Sequence, residues 1–262
     1  MTEIKKINFL KPNFEIRQID YNCNVHGKVT GNAMFSADKM LRIECPLCEA
    51  EKEKAIIREQ EKYQAEISQK EFEEDKKRKN IEREYWNKDF DDFEVLSESH
   101  GKALGAVKKM VQEKHGKVIL LGSNGCGKTM LGSIAVDKLD GVIYSMYEIT
   151  TMIRQSYTVK ATKTELEIVN ELASVPMLVI DEIGRTKGSD AELNWLSFIL
   201  DKRHVRGLPF MLLTNTHLKK RCEHGGCERC FENFVDNDIL SRLRQDSQVI
   251  TVEAPDYRAR RK

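Results

Sequence analysis

Three things are scarce in this chain of 262 residues: an excess of charge of one sign, long apolar runs, and compositional repetition. Lys and Arg number 43 against 42 Asp and Glu, a formal net charge of +1. That near-cancellation excludes a histone-like or tail-like protein held on nucleic acid by bulk charge, so any DNA contact must come from a local patch. No apolar stretch approaches the about 18 residues that a membrane span needs. The opening residues, MTEIKKINFLKPNFEIRQ, hold no apolar signal core. There are no internal repeats and no Pro, Gln or Ser tract. The expectation is a cytoplasmic protein without a membrane partner. Thiols stay reduced there, so the seven cysteines are read as metal ligands or core residues rather than disulfides. The length suffices for one sizeable α/β core and a small accessory module.

Composition shifts twice, which predicts three parts: residues 1–48, a linker over 49–88 and a globular domain over 89–262. The first part carries Cys23, His26, Cys45 and Cys48. In the second, residues 49–85 hold twelve acidic and ten basic side chains and no Gly or Pro. Opposite charges recur at helical spacing, as in Glu74 and Arg78, which predicts a solvated helix. Its apolar stripe fails, because Lys70 falls in the heptad phase of Ile56 and Tyr63. In the third part, Lys117–Leu121, Gly141–Ser145, Met177–Asp181, Pro209–Thr214 and Gln248–Glu253 read as strands. Helical patterns lie near 128–139, 147–157, 163–173, 190–204 and 236–244. Near-continuous apolar strands separated by helices predict an α/β fold with a central parallel sheet covered on both faces.

Gly122-Ser123-Asn124-Gly125-Cys126-Gly127-Lys128-Thr129 fits G-x-x-x-x-G-K-[ST], between a predicted strand and a predicted helix. The glycines let the backbone curl so that several N–H groups face one phosphate, and the helix adds its positive N-terminus. Lys128 brings a point charge to the β- and γ-phosphates, and the Thr129 hydroxyl is a ligand for Mg²⁺. Cys126 is a small residue whose backbone faces phosphate. A lysine at this place argues against a dinucleotide fingerprint. The strand Met177–Asp181 ends in a carboxylate pair: Asp181 for the Mg²⁺ hydration shell, Glu182 as general base toward water. ATP and Mg²⁺ are therefore the expected cofactors. Asn215, at the tip of the strand expected beside Asp181, is placed to orient the lytic water or the γ-phosphate, or simply forms a turn. Arg242, on a helical pattern, either stabilises phosphoryl charge in trans on a neighbouring subunit or is an ordinary surface arginine.

Two cysteine clusters remain. Cys23-x2-His26, 18 residues, then Cys45-x2-Cys48 is four-ligand zinc spacing, with room between the pairs for a small β-hairpin. Three Cys and one His leave no open position, so the site is structural. A module this small needs the metal to fold. Only Lys28, Lys39 and Arg42 are basic between the pairs, which favours a protein contact over DNA reading. Cys222, His224, Cys227 and Cys230 form a second candidate zinc clip, bent by Gly225-Gly226, with His217 as an alternative to His224.

The order P-loop, LVIDEIG, LTNTH, SRLR, QVITVEAPDYR over roughly residues 90–258 resembles the bacterial and phage replicative helicase loaders and their transposon relatives (DnaC-, DnaI- and IstB-like), AAA+ ATPases. The resemblance implies an ATPase that self-associates, engages single-stranded DNA and delivers a hexameric replicative helicase onto it, in a bacterial or phage-infected cytoplasm. It implies the sensor role for Asn215 and the trans-acting finger role for Arg242. It places Arg154 and Tyr157 on a helical insertion that lines the DNA path, where Arg154 meets phosphate and Tyr157 stacks on a base; the alternative is that Met152, Ile153 and Tyr157 are only the packing face of a helix. Some members carry an N-terminal zinc module that grips the helicase. Phe93 is a candidate wall for the adenine, and no separate lid is expected after the last strand. The rival readings are a transposase regulator on duplex DNA and an adaptor that binds nucleotide without turnover.

Overall fold

A computed structural model describes residues 14–36, 38–185, 189–223, 225–235 and 237–257, with the backbone alone at 244 and 245. The chain divides into two compact units, Met1–Phe72 and Glu73–Lys262. No helix among the described residues is long and apolar enough to cross a membrane.

In the first unit, β1 (Glu15–Cys23), β2 (Gly27–Ser36) and β3 (Lys39–Ile43) form an antiparallel meander. The hairpin expected between the cysteine pairs is β2–β3, and β1 extends it by one strand. Helix α1 (Pro46–Arg78) starts between Cys45 and Cys48, with Pro46 in the position where its missing N–H costs nothing. Glu49 in its first turn and Lys76, Lys77 and Arg78 in its last complement the helix dipole. Ile56, Ile57 and Tyr63 stay exposed, as the failed apolar stripe predicts.

The second unit is built on five parallel strands in the order β5-β6-β7-β4-β8: β4 (Lys117–Gly122), β5 (Val142–Ser145), β6 (Leu178–Ile183), β7 (Phe210–Thr214) and β8 (Ser247–Val252). Alternation along each strand feeds two cores. On β4, Ile119 and Leu121 join the core shared with α4 (Met146–Gln155), α5 (Glu165–Leu172), α6 (Asp190–Val205) and α7 (Asn237–Asp246). Val118 and Leu120 join the core shared with α2 (Glu98–Glu113) and α3 (Lys128–Leu139). Helix α2 has no counterpart in the expected helices. Its buried face is His100, Ala103, Ala106, Val107 and Met110, a polar residue and two alanines among only two larger apolar ones, and Ser97 caps it by accepting from the His100 N–H at 3.1 Å.

The end of α1 is tied within this unit. Buried Lys76 and Lys79 reach the Asp137 carboxylate at 2.5 and 3.2 Å, and Arg78 reaches Asp140 at 2.5 Å. The segment that follows runs to the mouth of the P-loop.

Candidate active site

The P-loop spans the exit of β4 and the start of α3. Gly127 is the N-cap of α3 with φ +84°, a left-handed value that glycine adopts without strain, and a Cβ there would sit 2.6 Å from the Phe93 ring. Gly125 has φ +74°, and a Cβ there would meet the Asp256 carboxylate at 1.7 Å. The Lys128 ammonium is buried. It donates to the carbonyls of Gly122 and Ser123 at 2.9 and 2.8 Å and to Asn215 Oδ1 at 2.9 Å. Asn215 in turn donates to Asn124 Oδ1 at 2.5 Å, so the tip of β7 is bonded to the phosphate loop. The Thr129 hydroxyl donates to Asp181 Oδ2 at 2.7 Å. Burial pushes the Asp181 carboxyl above its ordinary value, opposed by the Thr129 hydroxyl and the Glu182 N–H. Cys126 is buried, and its sulfur lies 3.6 Å from the ammonium.

Consecutive strand residues point to opposite faces, so an Asp-Glu pair on a regular β6 could not serve one site. The strand is not regular. Its pairing with β7 shifts between Ile180 and Ile183, and Glu182 has φ +56°. The cores show the same slip, since Leu178, Ile180 and Ile183 all face one core. This bulge brings Asp181 and Glu182 into the lining of one cleft, and an Arg185 ion pair holds the Glu182 carboxylate.

The cleft is about 820 Å³ and includes Asn124 to Thr129, Asp181, Glu182 and Asn215. Ile81, Tyr85, Phe93 and Met130 add apolar surface to a lining that also includes Glu82, Glu84, Lys88 and Asp92. That combination suits a flat base at one end and a triphosphate at the other. Two further residues, His100 and Tyr257, brace the phosphate loop. His100 is fully buried; its Nδ1 accepts the Leu96 N–H at 3.1 Å, so its Nε2 donates to the Cys126 carbonyl at 3.2 Å. Tyr257 stacks on the His100 ring at 5.9 Å, and its N–H donates to the Gly125 carbonyl at 3.0 Å. Their signal is faint. His100 is one of several polar residues on α2, and Tyr257 is the aromatic of the APDYR segment.

Arg242 lies on α7, away from the residues that line the cleft, and pairs with Asp201. Arg154, on α4, faces Glu192 at 3.9 Å. Tyr157 is exposed just past that helix, with its hydroxyl on Glu165, while Ile153 is buried.

The first cysteine cluster is assembled. Cys23, His26, Cys45 and Cys48 present ligand atoms all within 4.8 Å of one another. His26 Nδ1 lies 3.9, 3.7 and 3.3 Å from the three sulfurs, and its Nε2 faces Glu51 at 3.1 Å, the orienting contact common for metal-bound imidazole. Backbone N–H groups of His26 and Val25 hold the Cys23 thiol down to about 6. At the second cluster the structure gathers His217, Cys222, Cys227 and Cys230, again within 4.8 Å. His224 lies outside the described residues.

A family model described as IstB-like ATP binding protein matches residues 51–262. The chain belongs to this IstB-like family. The chain is similar to the replicative helicase loader DnaC of Escherichia coli K12, 26% identical over 189 residues, covering 69% of this chain and 76% of that protein. DnaC of Buchnera aphidicola subsp. Schizaphis graminum is 24% identical over 190 residues, covering 69% and 73%. Among solved structures, the DnaC helicase loader aligns at TM-score 0.52 and 19% identity, covering 66% of this chain and 100% of that one. DnaA of Aquifex aeolicus bound to AMPPCP aligns at TM-score 0.54 and 18% identity, covering 68% and 53%. The IstB-like chain therefore has the AAA+ fold, a P-loop nucleotide-binding core with its five-stranded parallel sheet between helices.

Proposed function

We propose that this chain is an ATPase that loads a hexameric replicative helicase onto single-stranded DNA. The observation that carries the reading is the convergence of Lys128, Thr129, Asp181, Glu182 and Asn215 at one end of the sheet, in a chain similar to helicase loaders.

The donor set fits a nucleoside triphosphate with a divalent ion. The loop backbone and the N-terminus of α3 receive phosphate, and Lys128 neutralises its charge. Magnesium bound there supplies positive charge that offsets the phosphate oxygens. Thr129 and Asp181 hold it, the hydroxyl as a ligand and the carboxylate through the hydration shell. Glu182, turned into the cleft by the bulge, takes a proton from the attacking water. Asn215 orients that water or the γ-phosphate, and Ile81, Tyr85 and Phe93 stack around the base. Arg242 reaches the cleft of the next subunit in an ATP-dependent oligomer, which accounts for its place away from its own. Arg154, on α4, and Tyr157, just past its end, meet single-stranded DNA. The division into a zinc module over 1–48, a linker over 49–88 and an ATPase domain over 89–262 serves this role: Cys23, His26, Cys45 and Cys48 hold a structural zinc ion, and the module grips the helicase.

The test joins both halves. The full chain captures the host's hexameric helicase and releases phosphate, faster with single-stranded DNA. Glu182→Gln keeps ATP binding and helicase capture but loses turnover by at least tenfold. Normal turnover in that variant removes the assigned base. Capture of a transposase in place of the helicase, with turnover stimulated by duplex DNA, replaces the reading with that of a transposition regulator. Binding without any phosphate release makes the chain an adaptor.

A further inference from the structure

Between Thr214, where β7 ends, and Asn237, where α7 begins, the regular structure among the described residues is two single-turn 3-10 helices, Lys219–Arg221 and Phe231–Asn233. Loops longer than about 12–15 residues without structure of their own are uncommon in compact domains. Something other than a ladder must hold this one. Its apolar anchors sit at its ends, Leu218 near the start and Phe231, Phe234 and Val235 near the finish.

Four metal donors are spread along it instead: His217, Cys222, Cys227 and Cys230. His217 Nε2 lies 3.4 Å from Cys227 Sγ and 3.6 Å from Cys230 Sγ, and the two sulfurs are 4.0 Å apart. A tetrahedral zinc ion with Zn–S of about 2.3 Å and Zn–N of about 2.0–2.1 Å places its ligand atoms about 3.8 Å (S to S) and about 3.6 Å (S to N) apart. The spacing matches. It does not match a disulfide, which needs about 2.05 Å between sulfurs. Cys227 and Cys230 also form a knuckle, with the Cys227 N–H donating to Cys230 Sγ at 3.3 Å. Gly225, at φ +68°, closes the turn that returns from Cys222 by donating to its carbonyl at 3.1 Å. Four protein donors leave no open position for chemistry.

We propose that His217, Cys222, Cys227 and Cys230 hold a structural zinc ion, separate from that of the N-terminal cluster, and that it pins the exit of β7 that carries Asn215. His217 is two residues beyond Asn215. Its backbone bridges to Cys230, with its carbonyl accepting the Phe231 N–H at 2.8 Å. A metal at this corner fixes the direction of the chain just after the amide that bonds Lys128 and Asn124. The metal site stands without the ATPase reading; the positioning of Asn215 rests on it.

The test uses the full chain. Wild-type protein contains two zinc ions by elemental analysis. Cys45→Ser/Cys48→Ser, which leaves the second cluster intact, keeps one. Replacing that one with Co²⁺ gives the visible ligand-field bands of tetrahedral thiolate coordination. No zinc in Cys45→Ser/Cys48→Ser overturns the site. His217→Ala loses the second ion and His224→Ala keeps it; the opposite pair of results overturns the ligand set. Cys222→Ala lowers kcat for ATP about tenfold with KM changed less than threefold, and Cys222→His, which keeps a zinc donor, restores both metal and kcat. Unchanged kcat in metal-depleted Cys222→Ala overturns the positioning role while leaving the metal site standing. If no variant or wild-type protein releases phosphate, the ATPase reading fails and the zinc counts still decide the site.

Discussion

Glu182 is the residue at which fold and proposed chemistry pull in opposite directions, so replacing it with glycine separates them. Its φ of +56° is a left-handed conformation, which costs a residue with a Cβ about 1–2 kcal/mol. Glycine adopts that conformation freely, at an extra chain entropy cost of about 0.5–1 kcal/mol. The net gain from Glu182→Gly is therefore about 0.5–1 kcal/mol. Glutamine keeps the strain, which makes Glu182→Gln the proper reference. The ion pair with Arg185 is exposed and contributes about 0–1 kcal/mol, comparable to the effect sought. Both variants are therefore made on an Arg185→Ala background. For a unit of about 190 residues, 1 kcal/mol moves Tm by about 2–4 °C. Thermal melts without nucleotide should show Glu182→Gly melting about 1–4 °C above Glu182→Gln, while phosphate release is lost equally in both. Equal or lower melting of the glycine variant refutes the strained bulge. Retained turnover in either variant refutes the role assigned to the carboxylate.

Gly127→Ala forces a Cβ into the left-handed region and against the Phe93 ring at 2.6 Å; strain and overpacking together should cost about 2–4 kcal/mol. Calorimetry should show part of this recovered in Gly127→Ala/Phe93→Ala, and strict additivity would remove the clash as the cause. Arg242→Ala should keep ATP affinity and lose turnover, and mixing it with Glu182→Gln should restore part of the rate, since each supplies what the other lacks at a shared boundary; no recovery on mixing sinks the trans assignment. Burial holds the His100 imidazole below its ordinary value of 6.5. A depressed histidine leaves stability full above 6.5 and loses it as pH falls below, because the unfolded chain then binds the proton first. The fall of Tm below pH 6.5 should be shallower in His100→Gln, and an unchanged slope would exonerate this group.

Much of the nucleotide site was legible because its parts are contiguous. The P-loop needs one strand end, one loop and one helix start, all written in Gly122 to Thr129. The pair Asp181-Glu182 was legible as two carboxylates at a strand end but not in its geometry, because strand alternation sends neighbours to opposite faces and the bulge that overrides it leaves no local mark. Helix α2 is faint in the sequence because its buried face holds His100 and two alanines beside only Val107 and Met110, too little apolar area to mark a stripe. The second cluster shows the limit most clearly. Nearness along the chain favours His224 beside Cys222. Pairing across the loop, the His217–Cys230 bridge, is what brings His217 to the three sulfurs. The N-terminal set has no such ambiguity, since both of its pairs are knuckle-spaced and the antiparallel register sets Cys23 opposite Gly27, at the start of the returning strand.

The bulge persists because undoing it costs more than keeping it. If β6 were straightened, Asp181 and Glu182 would alternate and the left-handed residue would relax, recovering about 1–2 kcal/mol. The same slip would carry Ile183 to the other face. Ile183 is now 2% exposed in the core it shares with Leu178 and Ile180. Removing an isoleucine from such a site forfeits about 1.5–3 kcal/mol of burial. The Thr214 hydroxyl, fully buried, would also lose the Ile183 carbonyl it now bonds at 2.5 Å, a further about 0.5–1.5 kcal/mol. Packing behind the site therefore outweighs strain within it. Ile183→Ala, which weakens that hold without touching the cleft, should lower turnover beyond what its loss of stability explains.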